Sequence, residues 1–347
     1  MRVLGADIGF GYTKATDGRH SQIFKSIVGD AVPIQFAEVL LPDETTVRPP
    51  RHFEFGTEKV FVGELAEHQS RGRGFTLDPT MFLEHYAKTL ALAAIAPYAE
   101  DGDPVRLVTG LPIGFFRKHR DTLATLLQNR HEFTVVRPDG STQDRHVYIE
   151  RVRIIPQPFG SLFNCMLDDT GGVAVQRFAS EKIGVIDVGF RTCDYTIADR
   201  TRYSERGSAS SDSGIALAYT AIAQMLQEQS AVNVEVYRLY EATQRGSIKI
   251  KGKLYDLKAI NKRALTQLAA RIAAEVSRLW ADDWDLDAIV VTGGGGALLA
   301  PYLKSLIEGE VLPLPSDQDA RLNNVAGYWK YGRHIWGTGG ATENTAQ

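Results

Sequence analysis

The chain has 347 residues, 44% of them apolar and 23% charged, enough at roughly 150 residues per domain for two domains of unequal size or one carrying insertions, and too rich in core-forming residues for a disordered chain or a small stapled scaffold. A formal charge of -3 argues against a broad grip on a nucleic-acid backbone, which requires a basic face, so no direct nucleic-acid binding is expected. Two cysteines, Cys165 and Cys193, are too few for a disulfide framework or metal cluster; reduced thiols and a cytoplasmic setting are expected. Asp7 arrives before any apolar stretch long enough for a signal peptide, so none is expected, and the most apolar run, Leu90 to Ala99, is broken by Pro97 and too short to span a membrane.

Arg2 to Ile8 reads as a buried strand running into the turn Gly9-Phe10-Gly11, with a second strand from Tyr12. Between about Ile23 and Val62, apolar pieces alternate with polar residues and Pro49-Pro50, which predicts small strands of undefined topology. Apolar residues at helical spacing predict one helix over Met81 to Ala96, stopped by Pro97. Val105 to Thr109 is a strand ended by Gly110-Leu111-Pro112, and a helix follows from about Arg117 with Leu123, Leu126 and Leu127 on one face. Asp139-Gly140 marks a hairpin turn. The run Val152 to Ile155 stops at Pro156-Gln157-Pro158, after which Gly160 to Leu167 reads as helix.

A second half then repeats the first. Lys182 to Val188 is a buried strand, Gly189-Phe190-Arg191 a turn, and Thr192 to Ala198 a return strand. Asp7-Ile8-Gly9-Phe10 aligns with Asp187-Val188-Gly189-Phe190, and the shared place at the first strand turn of each half predicts an internal duplication of α/β lobes. Further on, Ser213 is a candidate cap for a helix striped by Ile215, Ala218, Ile222 and Met225. A hairpin spans Ile248 to Leu257. Asn261 is a candidate cap for a long helix with Leu265, Leu268, Ile272, Val276 and Leu279 on one face. The strand Asp287 to Thr292 leads to Gly293-Gly294-Gly295-Gly296, a helix from about Ala297, a last helix over Asn323 to Tyr331 and a loose tail beyond Gly337.

Glycines at strand turns let backbone N–H groups approach phosphate oxygens with no Cβ in the way. One such turn is as well an ordinary hairpin or cap; three in one chain, two of them preceded by acids, point to phosphate. The competing motifs fail on spacing. Lys14 stands where a dinucleotide fingerprint needs its third glycine, and the first turn leads into a strand rather than a helix. Gly246 to Gly252-Lys253 has one residue too many for a Walker A loop, and Leu254 replaces its Ser or Thr.

Asp7-Ile8-Gly9-Phe10-Gly11-Tyr12-Thr13-Lys14 resembles the phosphate-1 loop of the actin, Hsp70 and sugar-kinase superfamily, Asp187-x-Gly189-x-x-Thr192-x-Asp194 its phosphate-2 loop, and Val290 to Ala297 its adenosine loop, all in the order that family requires. Thr109-Gly110-Leu111-Pro112 and Asn324-Val325-Ala326-Gly327-Tyr328 are similar to segments of the prokaryotic actin-like proteins, the ParM-type plasmid-partition and archaeal group. The resemblance spans nearly the whole chain. It implies an α/β fold of two actin-like lobes, duplicated ribonuclease-H-like domains around a nucleotide cleft, with lobe I over residues 1–163 and 322–347 and lobe II over 164–321.

Roles follow by position. Gly9, Phe10, Gly11, Tyr12 and Thr13 would grip the phosphates of ATP or GTP from one side, and Gly189, Phe190, Arg191 and Thr192 from the other. Lys14 would act as a point cation. Asp7 and Asp187 would hold Mg²⁺ largely through its waters. Gly293, Gly294, Gly295 and Gly296 would pass the ribose and base. Gln157 stands where the family orients the attacking water, or else is a solvated loop residue between prolines. Asp194 is a second-sphere ligand or a strand polar residue. Phe10, and Phe190-Arg191 in place of paired glycines, depart from the family pattern; their bulk would slow hydrolysis or reshape the γ-phosphate pocket, and Arg191 would add a phosphate contact or a surface ion pair. The implied function is an ATPase that assembles with itself into nucleotide-dependent filaments, for plasmid segregation through a DNA-bound adaptor or for another cytoskeletal task. The alternatives are a small-molecule kinase, for which no acid near Gln157 is an evident base, and a non-polymerising ATP-binding scaffold of the pilus-assembly kind.

Overall fold

A computed structural model describes residues 2–34, 51–313 and 319–337; Pro49-Pro50 and the tail beyond Gly337 lie outside the described residues. The strands in chain order are β1 (Arg2–Ile8), β2 (Tyr12–Thr16), β3 (Ser21–Lys25), β4 (Val28–Asp30), β5 (His52–Phe55), β6 (Glu58–Val62), β7 (Arg73–Gly74), β8 (Pro104–Leu111), β9 (Arg130–Val136), β10 (Thr142–Pro156), β11 (Lys182–Val188), β12 (Cys193–Asp199), β13 (Arg202–Ser211), β14 (Ser247–Ile250), β15 (Lys253–Asp256), β16 (Ala288–Thr292) and β17 (Val311–Pro313). The helices are α1 (Glu64–Gln69), α2 (Pro79–His85), α3 (Ala87–Ile95), α4 (Ile113–Leu127), α5 (Gln157–Met166), α6 (Arg177–Ser180), α7 (Ala216–Ser230), α8 (Leu239–Arg245), α9 (Lys258–Leu279), α10 (Gly294–Leu306) and α11 (Asn323–Trp336).

Every residue of β1 and β11 after the first is buried, the pattern of a strand covered on both faces. Each turns back through the same hydrogen bond: Gly9 N–H donates to the Tyr12 carbonyl at 3.2 Å, and Gly189 N–H to that of Thr192 at 2.9 Å. The registers coincide, with Asp7 opposite Lys14 and Asp187 opposite Asp194. Around these hairpins the strands run in the orders β3-β2-β1-β8-β10 and β13-β12-β11-β16-β17, two antiparallel and two parallel neighbours in each. The duplication expected from the Asp-x-Gly-Phe repeat is therefore a duplication of whole sheets. The first sheet continues through β9, β5, β6, β4 and β7, so the Ile23 to Val62 region does form small strands as far as it is described.

Several helix boundaries differ from the sequence reading, each for a tertiary reason. The single helix expected over Met81 to Ala96 divides at Tyr86 (φ -119°). Here α2 is a capped surface turn, with Asp78 accepting from Met81 N–H at 2.8 Å, whereas Leu90 to Ile95 of α3 are buried all round, so the two have different neighbours. Helix α4 begins at Ile113, not near Arg117, because Asp194 and Ser210 of the second sheet accept from the N–H groups of Ile113 and Gly114 at 2.7 and 2.9 Å. Val152 to Ile155 is the end of the longer β10, paired along its length with β9 and then β8.

Ser213 and Asn261 cap nothing. The N–H groups of Gly214, Ile215 and Ala216 bind the carbonyls of Arg191, Gly189 and Phe190, which leads α7 directly out of the second turn. Asp256 accepts from Lys258 N–H at 2.8 Å at the start of α9, leaving Asn261 inside the helix. On the α7 stripe Leu226 is buried and Met225 only partly so. Helix α10 starts inside the glycine run at Gly294, since Gly293 adopts φ +84° and ends the strand. Helix α11 runs on past Tyr331 to Trp336.

Two cores sit beneath the two sheets, one around Leu4, Phe53, Leu90 and Leu107 and the other around Ile186, Tyr219, Ile272 and Leu299. A third, around Val108, Leu162, Val185 and Tyr328, lies where α5 and α11 pass between them. There Gly327 of α11 lies against Gly160 of α5 so closely that a Cβ on Gly327 would sit 1.7 Å from the Gly160 carbonyl oxygen. Backbone on both sides leaves nothing flexible to yield. Gly327→Ala is therefore expected to cost about 2 kcal/mol or more and to lower the thermal midpoint by several degrees; an unchanged midpoint would show that the crossing relaxes freely.

Candidate functional site

The C-terminal ends of β1, β8, β11 and β16 converge, and the two turns bring their acids with them. Asp7 and Asp187 are both buried, but their surroundings are opposite in charge. Lys14 Nζ donates to Asp7 Oδ2 at 2.8 Å and Gln157 Nε2 to Asp7 Oδ1 at 3.2 Å. At the equivalent place in the second hairpin Asp187 faces not a lysine but Asp194; its one side-chain donor is Asn324, whose Nδ2 lies 2.7 Å from Oδ2. Burial, with the negative charges of Asp194 and Asp7 behind it, pushes the Asp187 carboxyl up to about 7 against the pull of Asn324.

Asp194 is itself buried and accepts from Ile113 N–H, from Thr192 Oγ1 at 3.0 Å and from Ser210 Oγ. Burial dominates, so its carboxyl is raised to about 6 even though these donors favour the charged form. It joins the second sheet to the first element of α4. Asp194 is thus a polar residue of β12 that also caps a helix of the other half.

Both turns are held from behind. Ser26 donates from Oγ to the Gly9 carbonyl at 2.5 Å and from N–H to that of Gly11 at 3.0 Å, while the start of α7 occupies the carbonyls of the second turn. The bulky departures are packed. Phe10 is buried against Phe82, with ring centroids 4.7 Å apart, and against Phe115. Phe190 lies on Gly11, where a Cβ would come within 2.6 Å of the ring, and edges Phe75 at 6.0 Å. The Arg191 guanidinium sits over Phe10 and Phe115 at 5.5 and 5.3 Å and pairs with Asp212 at 3.1 Å. Phe190 and Arg191 thus bind the second turn to the first.

Gln157 is the first residue of α5 rather than a loop residue, so its backbone is fixed while its amide reaches Asp7. Gly293 lies against Asp187, and a Cβ there would fall 2.4 Å from Oδ1. Beside it Asn323 donates to Thr292 Oγ1 at 3.0 Å, and Ser161 donates to Asn324. Gly294 touches Arg321, whose guanidinium lies over the rings of Tyr12 and Tyr240 at 5.2 and 5.3 Å and is held by Asp319. At the outer mouth Lys25 meets Glu67 at 2.7 Å and Glu241 at 3.5 Å, and Arg238 reaches Glu67 at 3.4 Å.

The structure brings Asp7, Lys14, Gln157, Asp187, Gly293 and the two turns together. Sequence reasoning missed Ser26, Ser210, Asp212, Tyr240 and Arg321. None belongs to a spaced motif; Arg321 alone carried a signal, a cation just before the Asn324 to Tyr328 segment. Among the described residues no group of three or more His, Cys, Asp or Glu is gathered for a metal. The site offers two carboxylates and an excess of buried negative charge, which suits a cation that keeps most of its waters.

The Asp187 carboxyl has a sign-definite effect on stability without ligand. Its folded value is raised, so between about pH 4 and pH 7 the folded state keeps a proton that the unfolded chain has lost, and stability falls as pH rises by about 1.4 kcal/mol per unit. Asp187→Asn removes that loss. Its stability relative to the wild type is expected to rise through this window and level off near pH 8 in urea titrations; a pH-independent difference would refute the assignment.

Residues 5–160 match the family described as Actin like proteins N terminal domain, and residues 185–305 that described as Archaeal actin homologue MreB-like, C-terminal. Among solved structures, a 15-stranded ParM filament from Clostridium botulinum superposes with a TM-score of 0.79 at 22% identity, over 96% of this chain and 99% of that one. An archaeal actin homolog in complex with ADP gives 0.76 at 20% identity, over 95% and 99%. Bacillus thuringiensis ParM with ADP gives 0.69 at 15% identity, over 96% and 98%. No curated protein matches the chain in sequence. With its doubled sheet, its paired turns and these two consecutive family matches, the chain belongs to the prokaryotic actin-like family.

Proposed function

We propose that the protein is an ATPase that binds a Mg²⁺-nucleotide between lobe I (residues 1–163 and 322–347) and lobe II (164–321) and assembles into filaments under nucleotide control. The observation that carries this reading is the pair of equivalent turns, Gly9 to Thr13 and Gly189 to Thr192, with carbonyls held from behind and an acid beneath each. Their N–H groups would grip the phosphates from two sides, and Lys14, already beside Asp7, would add positive charge. Asp7 and Asp187 would hold Mg²⁺ through its waters, and the ion would supply charge neutralisation on the phosphates. The glycine run at Gly293 to Gly296 gives room for a ribose, and the Arg321–Tyr240 pair beside Gly294 offers a flat face for the base of ATP or GTP. The ADP named with two of the similar structures favours adenine.

Gln157 would orient the attacking water. An amide is a poor base, so its contribution is placement, and the contact with Asp7 keeps it at the site. A kinase would need a free carboxylate aimed at an acceptor hydroxyl, and Asp194, the nearest unassigned acid, is engaged by Ile113, Thr192 and Ser210. Hydrolysis is therefore favoured over transfer to a small molecule. The filament would serve plasmid or DNA segregation through an adaptor, or another cytoskeletal task, in the cytoplasm. The filament formed by the similar Clostridium botulinum ParM supports self-association, and no described helix is long and apolar enough to cross a membrane.

Light scattering and negative-stain microscopy beside a phosphate-release assay test the reading: Mg-ATP is expected to give both filaments and phosphate. Neither would mean a non-polymerising scaffold. Asp187→Ala is expected to abolish Mg²⁺-dependent turnover. Gln157→Ala is expected to slow turnover roughly 10- to 100-fold with nucleotide binding and assembly retained; normal turnover in this variant would remove Gln157 from the mechanism.

A further inference from the structure

Two apolar side chains stand far out of the surface: Trp284 is 89% exposed and Leu254 67%. A tryptophan left this open is unusual, and tryptophan is among the residues most enriched where protein surfaces bind. Trp284 lies in residues 281–287, between the end of α9 and the start of β16. Asp282, Asp285 and Asp287 around it are exposed. Asp283 beneath it is buried and meets Lys182 and Arg206 at 2.9 and 2.6 Å. Four acids against two bases leave the patch negative. Because β11 starts at Lys182 and β16 at Ala288, the patch lies at the end of these parallel strands opposite the end that carries Asp187 and Gly293.

Leu254 belongs to the β14–β15 hairpin, closed by Lys251 and Gly252 with φ of +48° and +83°, the tight two-residue turn that suits strand twist. Lys249, Lys251 and Lys253 are all exposed, and among the described residues none has an ion-pair partner. The hairpin ends at Asp256, immediately before α9. Since α9 has 22 residues, it holds the lysine hairpin and the Trp284 loop about 33 Å apart, at its opposite ends. One molecule cannot bring these complementary patches together, but two copies in succession can, through a heterologous contact that repeats without closing on itself.

The geometry points to a direct contact between copies of this chain, in which the Lys249–Lys251–Lys253 hairpin with Leu254 seats on the Trp284 loop of the next copy. Leu254 and the lysine stems cover the indole, and the ammonium groups face its ring and Asp282, since Asp285 already meets Lys182 at 2.5 Å. This seam rests on the filament reading and specifies where subunits meet along it. Neither patch shares a residue with the two turns or with the Arg321–Tyr240 pair, so losing either is expected to leave the site intact.

Two variants test it: Trp284→Ala, and Lys249→Glu/Lys251→Glu/Lys253→Glu. Each is expected to keep the wild-type thermal midpoint and nucleotide affinity while raising the concentration needed for assembly with Mg-ATP at least tenfold by sedimentation. Mixed in equal amounts, the two retain one good seam per pair, the intact hairpin of the first on the intact loop of the second. Analytical ultracentrifugation is then expected to find pairs and no filaments. Normal assembly by the separate variants, full filaments from the mixture, or no pairing in it overturns the seam while the filament reading stands. A wild type that stays monomeric removes the filament reading, and the seam with it.

Discussion

The structure turns on two buried carboxylates set at the same place in two copies of one strand pair and given opposite neighbours. Register places residue 14 opposite Asp7 and residue 194 opposite Asp187. In the first copy that residue is a lysine within 2.8 Å, an ion pair that needs nothing else. In the second it is another acid, so burial and like charge act together and push the Asp187 carboxyl toward neutral pH. A duplicated backbone with unduplicated charge leaves one turn self-neutralised and the other with two facing acids. Asn324, Ser161 and Thr292 form the hydrogen-bonded support that keeps Asp187 in place meanwhile.

The same second hairpin ties the halves together. Asp194 and Ser210 receive the first N–H groups of α4, where orphan donors of a helix start would otherwise need water or a local cap. Phe190 rests on Gly11, and Arg191 on Phe10 and Phe115. At the far edge Tyr237 joins Ile27, Phe61 and Ala66 in a small apolar cluster beside the Lys25–Glu67 pair. Burying a cation and an acid there is tolerable only because each has its partner; removing one would strand the other. Any separation of the two sheets would break these contacts as a group, which links the two glycine turns to the relation between the halves.

Much of this was legible in particular residues. The Asp-x-Gly-Phe repeat and two strands with no polar side chain between their first residue and their aspartate announced the duplicated sheets, because a strand buried on both faces belongs at a sheet's centre. The glycine run at 293 marked a strand end that needs positive φ and no Cβ. What could not be read was anything closed by a distant partner. Helix α4 starts four residues early because its cap comes from residues 194 and 210. Ser213 and Asn261 have the chemistry of caps, yet the turn carbonyls before α7 and Asp256 before α9 leave them none to make. Met81 to Ala96 has one helical period but two environments.

The amino-acid sequence by itself determined the strand–turn–strand units, their order and the acids they carry, since these depend on contacts a few residues apart and on a side-chain period that burial makes visible. Tertiary structure alone decided which acid is neutralised, how Phe190 and Arg191 join the turns, that Arg321 meets Tyr12 and Tyr240, and that the lysine hairpin and Trp284 stand at opposite ends of α9. Those outcomes are set by strand register and by approaches between segments tens to hundreds of residues apart, where distance in space bears no relation to spacing along the chain.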